Sequence, residues 1–383
     1  MEPIYLDNAA TTPIRDEVRD VMLPLLQKDF GNPSSSHIWG RRASSLLEEA
    51  RERVANSLGA QRSEIYFVRG GTESDNLAIL GRAEAVRAKG ESPHVVITAI
   101  EHSAILEASA RVIEQGGRCT ILPVLPEGSI DSESLETALL DEPSVVSVMT
   151  VNNEIGIHLP VEEIAERTHA HGLIFHTDAI QAIGKVPVCL DTVPIDLLSL
   201  TGHKIYGAKG TGVLFVREGV EVLPIIFGGR QEHTLRPGTE DVAGAVGTSV
   251  AVDLAVSEQE LESRRLESLR DKLQVHLKNR IDKIRVHGET SRRAPHILNV
   301  GIPGVDPQIL LAGLDMEGIA VSAGSACESG STKSSHVLEA LYGEIKEMAA
   351  LRFSLGRSTT DNDIVRAAEA TVSVVTSIRN RDL

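Results

Sequence analysis

The sequence predicts an α/β protein with a three-layer large domain on a mainly parallel sheet and a smaller α+β domain. Three observations carry this. Short apolar or β-branched runs alternate with helical segments, polar clusters follow those runs, and near Val252 the alternation gives way to a long charged helical stretch. Strand, helix, strand repeated in this way needs crossover connections, and so a sheet covered on both faces.

The elements follow in order. Thr12-Pro13 fits an N-cap followed by proline at N1 of a first helix. Ala43, Leu46, Leu47, Ala50, Val54 and Leu58 recur at helical spacing, and Gly59 closes that helix as a C′ glycine. Strands are expected over 64–68, 95–99, 119–124, 145–150, 173–176 and 196–200, mostly separated by helices such as 72–89, 104–115 and 161–170. The stretch EQELESRRLESLRDKLQVHLKNR reads as a connector helix. Beyond it, strand-like 284–287, 297–300 and 351–355 and helices 307–316 and 361–378 indicate the smaller domain. The expected division gives 15–255 to the large domain, and 1–14 with 256–383 to the small one. No internal repeat is seen.

Composition narrows the function. The 383 residues, 42% hydrophobic, can fill a full-sized core. Acidic residues outnumber basic ones 54 to 38, and a net charge of −16 repels a phosphate backbone, so direct nucleic-acid binding is not expected. Three cysteines make no disulfide framework, and MEPIYLDNAATTP has neither the basic start nor the apolar core of a signal peptide. No apolar run reaches the ~20 residues of a membrane helix. The expectation is a cytoplasmic protein in a reducing compartment, with no membrane partner and no metal site.

In open parallel sheets ligands bind beyond the carboxyl ends of the strands. Here the strands are followed by RGGTESDN, IEHS, VNNEIG, TDAIQ and TGHKIYG, which would gather Thr72, His102, Asn153, Asp178, Gln181, His203 and Lys204 on one edge. RGGTESDN is a glycine pair, Gly70-Gly71, entering a helix. It suits a phosphate monoester at the helix N-terminus, or a plain glycine turn with Thr72 as N-cap. Lys204 follows a buried strand, where desolvation favours a neutral amine able to form a Schiff base. Asp178 also follows a buried strand and needs a cationic partner. That partner is either Lys204, in a structural ion pair, or the protonated ring nitrogen of pyridoxal phosphate (PLP).

These residues, with YLDNAATTP, FGNPSSSH, GGRQE followed by RPGTED, SAGSACESG, SSHVLEAL and RFSLGR, occur in one order along nearly the whole chain. The sequence resembles the NifS/IscS cysteine desulfurases, within the fold-type I PLP-dependent transferases of the class-V aminotransferase kind. The resemblance implies that Lys204 holds PLP, Asp178 pairs with the pyridinium and Gln181 donates to the ring hydroxyl. His102 would stack on the ring, Asn153 would lie near the ring hydroxyl and substrate, and Arg352 would clamp the substrate carboxylate. Gly71, Thr72, Thr201 and His203 would form the phosphate site, joined by Gly238-Thr239 of a neighbouring subunit, which implies a homodimer. The chain departs from the family pattern at Arg69, at Glu328 and in GGRQEHTLRPGTED.

Cys119 and Cys189 sit among apolar neighbours and read as buried structural thiols. Cys327 lies in a Gly/Ser-rich loop, and the resemblance makes it the acceptor of sulfur from L-cysteine, with His102 as its proton acceptor. The implied reaction yields L-alanine and a Cys327 persulfide, which passes to an acceptor protein in iron–sulfur assembly, tRNA thiolation or DNA phosphorothioate modification. The alternatives are a selenocysteine lyase or aminotransferase on the same scaffold, or a non-catalytic sulfur-transfer scaffold.

Overall fold

The chain opens with β1 (Ile4–Tyr5), α1 (Asp16–Gln27) and α2 (Ile38–Leu58) in a computed structural model that describes residues 2–323, 335–343 and 348–381. It then alternates through β2 (Ile65–Val68), α3 (Gly71–Ala88), β3 (His94–Thr98), α4 (Ser103–Glu114), β4 (Arg118–Leu122) and α5 (Ser132–Leu140). β5 (Val145–Ser147), α6 (Val161–Ala170), β6 (Phe175–Asp178), β7 (Leu197–Thr201) and β8 (Gly212–Val216) complete this part. Helices α7 (Val242–Ser257) and α8 (Gln259–Lys278) lead to β9 (Arg285–Val286), β10 (Ile297–Pro303), α9 (Pro307–Met316) and β11 (Ile319–Ala320). The last elements are α10 (His336–Tyr342), β12 (Met348–Ser354) and α11 (Asp361–Arg381).

The central sheet has seven strands in the order β2-β8-β7-β6-β5-β3-β4. β8 is antiparallel to both β7 and β2, and the remaining pairs are parallel. Two reversals cancel, so β2 runs with β7, and the carboxyl ends of β2, β7, β6, β5 and β3 share one edge. Burial on both faces explains the unbroken apolar runs: every residue of β3, β5, β7 and β8 is buried. The mainly parallel α/β architecture agrees with the sequence. The reversed strand β8 was not expected, because its approach through Gly207, Gly210 and Gly212 reads as loop.

One other local expectation changes. The first helix starts at Asp16, with Arg15 at the N-cap and no side-chain cap. Thr12 is used elsewhere: its Oγ1 donates to the His203 carbonyl (3.0 Å) and accepts from Tyr206 N (2.7 Å), clasping the Lys204 loop. The expected connector forms as one helix, α8, with α7 before it. Helix α2 also ends as predicted, with Gly59 left-handed at φ 72°.

A second core is built from Leu266, Leu269, Leu298, Val300, Leu351 and Phe353, and Ile4 and Leu6 from the start of the chain belong to it. β1 pairs with β11, while β12, β10 and β9 form an antiparallel sheet. Leu6 N donates to the Ala320 carbonyl (2.9 Å) and Ser354 N to the Leu6 carbonyl (2.7 Å). The N-terminal segment is therefore stitched to this core before it reaches the edge of the large sheet. Among the described residues, no helix is long and apolar enough to cross a membrane.

Leu6→Ala should cost about 2–5 kcal/mol in denaturant unfolding, the range for a fully buried leucine whose site cannot collapse. A loss under ~1 kcal/mol would mean that the segment is a loose strap rather than part of the core.

Candidate active site

Lys204 lies in a short 3₁₀ turn, Gly202–Lys204, directly beyond β7. Its half-buried Nζ donates to the carbonyls of Ala9 (2.6 Å) and Ala10 (2.7 Å). Gln181, beyond β6, also reaches this segment: its Nε2 donates to the Ala9 carbonyl (2.8 Å) and its Oε1 faces His296 Nε2 (3.3 Å). The residues after Leu6 thus bring backbone acceptors to the amine.

Asp178 is the last residue of β6 and is 4% exposed. Its Oδ1 accepts from Ile180 N (2.8 Å). Burial pushes its pKa up to about 6, with the Ile180 N–H and the Lys204 charge pulling the other way. Two more buried carboxyl groups act on this part of the site. Glu101, just before His102, is raised to about 8 by burial, against hydrogen bonds from Thr98 Oγ1 (2.7 Å) and Met149 N (3.0 Å). Asp75, on α3, is raised well above its ordinary value by burial and then by Asp178. Among the described residues neither Asp75 oxygen meets a donor in hydrogen-bonding geometry; the nearby Ser199 hydroxyl, which pulls the pKa down, pairs with His176 Nε2 (3.1 Å). Three carboxylates of one sign cannot share so dry a space. Asp75 and Glu101 are therefore neutral acids, and Asp178, with Lys204 for company, carries the charge.

The helix end beside them is open. α3 starts at Gly71 after Gly70 (φ 140°) and has no side-chain cap, so its first N–H groups face outward at the strand edge. A Cβ on Gly71 would sit 2.2 Å from Ile180 Cδ1, so glycine lets the helix start pack against the Asp178 loop without displacing the end of that side chain. Thr72 is exposed in the first turn and is not the N-cap. His203 Nδ1 lies 3.1 Å from Thr11 Oγ1, and its pKa is lowered to about 4 by burial and then by Lys204 and Lys209, so the ring is neutral. Thr201, which the resemblance assigns to the phosphate, donates its hydroxyl proton to the Thr211 carbonyl (3.1 Å).

His102 caps α4, its Nδ1 accepting from Ala104 N (3.1 Å). Burial, then the charges of Lys204 and His336, lower its pKa to about 4. With Nδ1 accepting, the neutral ring carries its proton on Nε2. Asn153 lies beyond β5, and its carbonyl accepts from Arg352 Nη1 (2.8 Å). Arg352, on β12 and 1% exposed, also donates from Nη2 to Asp7 Oδ1 (2.8 Å), while its buried Nε has no partner among the described residues.

The matching family model, described as aminotransferase class-V, spans residues 4–366. The chain belongs to that family. It is 42% identical over 378 residues to a "Cysteine desulfurase IscS" of Dictyoglomus turgidum, covering 98% of this chain and 95% of that one. It is 43% identical over 379 residues to another of that name from Methanosarcina thermophila, covering 98% and 93%. A solved "NifS-like protein" superposes with a TM-score of 0.90 at 32% identity, covering 98% of this chain and all of its own. The architecture is fold-type I.

Within this class-V fold, Cys327 and Glu328 lie outside the described residues. The chain on either side is anchored at the site. Ser322 pairs with Arg352 through N–H to carbonyl bonds of 3.2 and 2.7 Å. On the other side, Ser335 Oγ donates to Glu154 Oε2 (2.5 Å) and His336 Nε2 to the Glu101 carbonyl (3.0 Å). The other thiols are not activated. Cys119 is half-buried and its pKa is raised by burial. Cys189 is exposed, contrary to expectation, and its S–H donates to Asp191 Oδ1 (2.7 Å), which raises its pKa.

Sequence reasoning missed Asn152. Its Nδ2 donates to the Ile100 carbonyl (3.0 Å), and its Oδ1 accepts from Glu154 N (2.9 Å) and Ile155 N (3.0 Å), tying the His102 loop to the Asn153 loop. The pair NN after a strand was the available signal, but it gave no hint of which asparagine faces inward.

The state of Glu101 fixes a pH dependence. The folded protein keeps a proton that the unfolded chain releases near 4.5, so this stabilisation is full below that pH and fades as pH rises toward 8. Between those limits the wild type should lose roughly a few kcal/mol more than Glu101→Gln, other groups being common to both. Parallel stability curves would show Glu101 to be ionised in the fold.

Proposed function

We infer that the chain is a cysteine desulfurase using pyridoxal phosphate, converting L-cysteine to L-alanine with the sulfur taken up on Cys327 as a persulfide. The observation that carries this is the convergence of three different groups on one strand edge: the Lys204 amine, the Asp178 carboxyl and the uncapped start of α3. PLP fits that set, since it bears an aldehyde, a basic ring nitrogen and a phosphate. When bound, it supplies a Schiff-base carbon and a ring that accepts the negative charge developing at the substrate Cα.

Lys204 would hold the aldehyde and, once freed, would move the Cα proton. The Ala9 and Ala10 carbonyls orient its amine. Asp178, the charged member of the carboxyl cluster, holds the proton on the ring nitrogen. Gly71 and Thr72 lead the phosphate end, with neutral His203 and Gly238-Thr239 of a neighbouring chain beside it. Gln181 and Asn153 would serve the ring hydroxyl, and His102 would cover the ring face. Arg352 takes the substrate carboxylate, with Asp7 aligning the guanidinium. Cys327 as thiolate takes the substrate sulfur, the C–S bond breaks, and alanine leaves after protonation at carbon. An acceptor protein then removes the persulfide sulfur.

The homodimer is supported by exposed apolar side chains in the loop that ends at Thr239, with Phe227 86% exposed. A reducing cytoplasm suits a catalytic thiol that must remain free. The class-V family also fits transamination or selenocysteine cleavage, which need no sacrificial thiol.

Borohydride should fix a pyridoxyl group on Lys204, and Lys204→Ala should remove the label. Labelling of Lys209 or Lys185 instead would show the assignment to be wrong. Cys327→Ala should still bind cysteine and change the visible spectrum, yet alanine formation should drop to near background. Cys119→Ala and Cys189→Ala should retain turnover. Mass spectrometry without reductant should find the added sulfur on the Cys327 peptide; its appearance only on Cys119 or Cys189 would overturn the mechanism.

A further inference from the structure

Glu73 stands in the first turn of α3, next to Thr72, where a helix start gathers anions. A free carboxylate there would oppose a phosphate. Here it is engaged: Oε1 accepts from Arg236 Nε (2.9 Å), and Oε2 accepts from Arg236 Nη2 (3.4 Å) and Arg69 N (2.5 Å). Both side chains of the Glu73–Arg236 pair are only 15% exposed, so the contact is shielded from solvent. Arg236 opens the RPGT segment. On its far side, Arg69 Nη1 donates to Asp241 Oδ2 (3.1 Å), while Asp241 Oδ1 accepts from Gly244 N (2.9 Å) at the start of α7. Gly238 and Thr239, between these grips, are exposed. The departure at Arg69 thus has a use: with Glu73 it ties the arm bearing Thr239 to the glycine cup of the same chain.

We infer that Glu73 and Arg236 are positioning residues for the neighbouring subunit, fixing one chain's Gly238-Thr239 arm in the geometry in which it serves the other chain's phosphate. This rests on the shared-site reading proposed above. The grip joins the arm to its own chain's cup, while the arm acts on the other's. Loosening the grip must therefore be felt in trans.

Charge alone predicts something different. Glu73→Gln removes a negative charge beside an anion site, which by Coulomb's law tightens phosphate binding in the mutated chain itself. Positioning predicts weaker binding at the partner's wild-type site. The test uses hybrid dimers in which one chain carries Lys204→Ala, so that only the other forms the coloured Schiff base. PLP is titrated by visible absorbance. Adding Glu73→Gln to the Lys204→Ala chain should weaken PLP binding at the reporter chain by about fivefold or more, within the range of typical coupling between sites. Arg236→Gln should do the same and reports the grip from its other end should the Glu73 variant fold poorly. Thr239→Ala in the same chain is the control. If it weakens the reporter site while Glu73→Gln and Arg236→Gln do not, the positioning inference falls and the shared site stands. A loss seen only when Glu73→Gln or Arg236→Gln is placed in the reporter chain itself also overturns it. If Thr239→Ala has no trans effect, the shared site itself falls and the inference with it.

Discussion

A buried carboxylate is the constraint around which this molecule is arranged. Asp178 ends a strand with both faces covered, and ionisation there is tolerated only because the Ile180 N–H and the Lys204 charge act on it. Asp75 and Glu101 stay neutral behind it. Their burial sets the field in which Asp178 alone holds charge, so the site's electrostatics depend on residues that touch no substrate. His176 extends the same pattern. Burial lowers it to about 3, and its neutral ring bridges Ser147 Oγ (2.8 Å) and Ser199 Oγ (3.1 Å) across the sheet.

The second constraint is the route of the first dozen residues. Leu6 is buried in the second core, Asp7 aligns Arg352 from that core's strand β12, and Ala9 and Ala10 hold the Lys204 amine on the large sheet. Thr12 then clasps the loop of Lys204 itself. One short segment thus sets the distance between the amine, which belongs to one core, and the guanidinium, which belongs to the other. A shift between the cores would move Arg352 relative to Lys204 through this strap.

Strand-end residues were legible in the sequence because burial on both faces leaves a plain signature: an apolar run, then polar side chains where the ligand edge begins. That signal places Asp178, Lys204, His102 and Asn153 on one edge. It failed for β8, whose glycines resemble a loop and whose reversed direction depends on pairing partners distant in sequence. It also failed for Thr12, where a local N-cap pattern lost to a tertiary clasp. Which of Asn152 and Asn153 points inward, and what occupies Glu73, are decided by contacts from segments far along the chain. Neither propensity nor periodicity carries that information.

The loop bearing Thr239 shows how strain is held in place. Glu232, His233 and Thr234 have φ of 45°, 53° and 74°, three successive left-handed residues without a glycine among them. Each such residue costs about 1–2 kcal/mol, so an untied loop would relax. It is tied by Glu232, whose carboxylate meets Arg51 at 2.7 and 2.8 Å and also accepts from Phe67 N (2.8 Å), on the strand that leads to the glycine cup. The side chains of Arg51 and Glu232 are 3% and 2% exposed, and an ion pair so fully desolvated adds little net stability. Its effect is to select one loop shape: with either partner removed, a buried charge remains and the strained turn loses its anchor. The placement of Gly238 and Thr239 therefore follows from a bond formed some residues earlier in the chain, to the same strand that supports the phosphate cup.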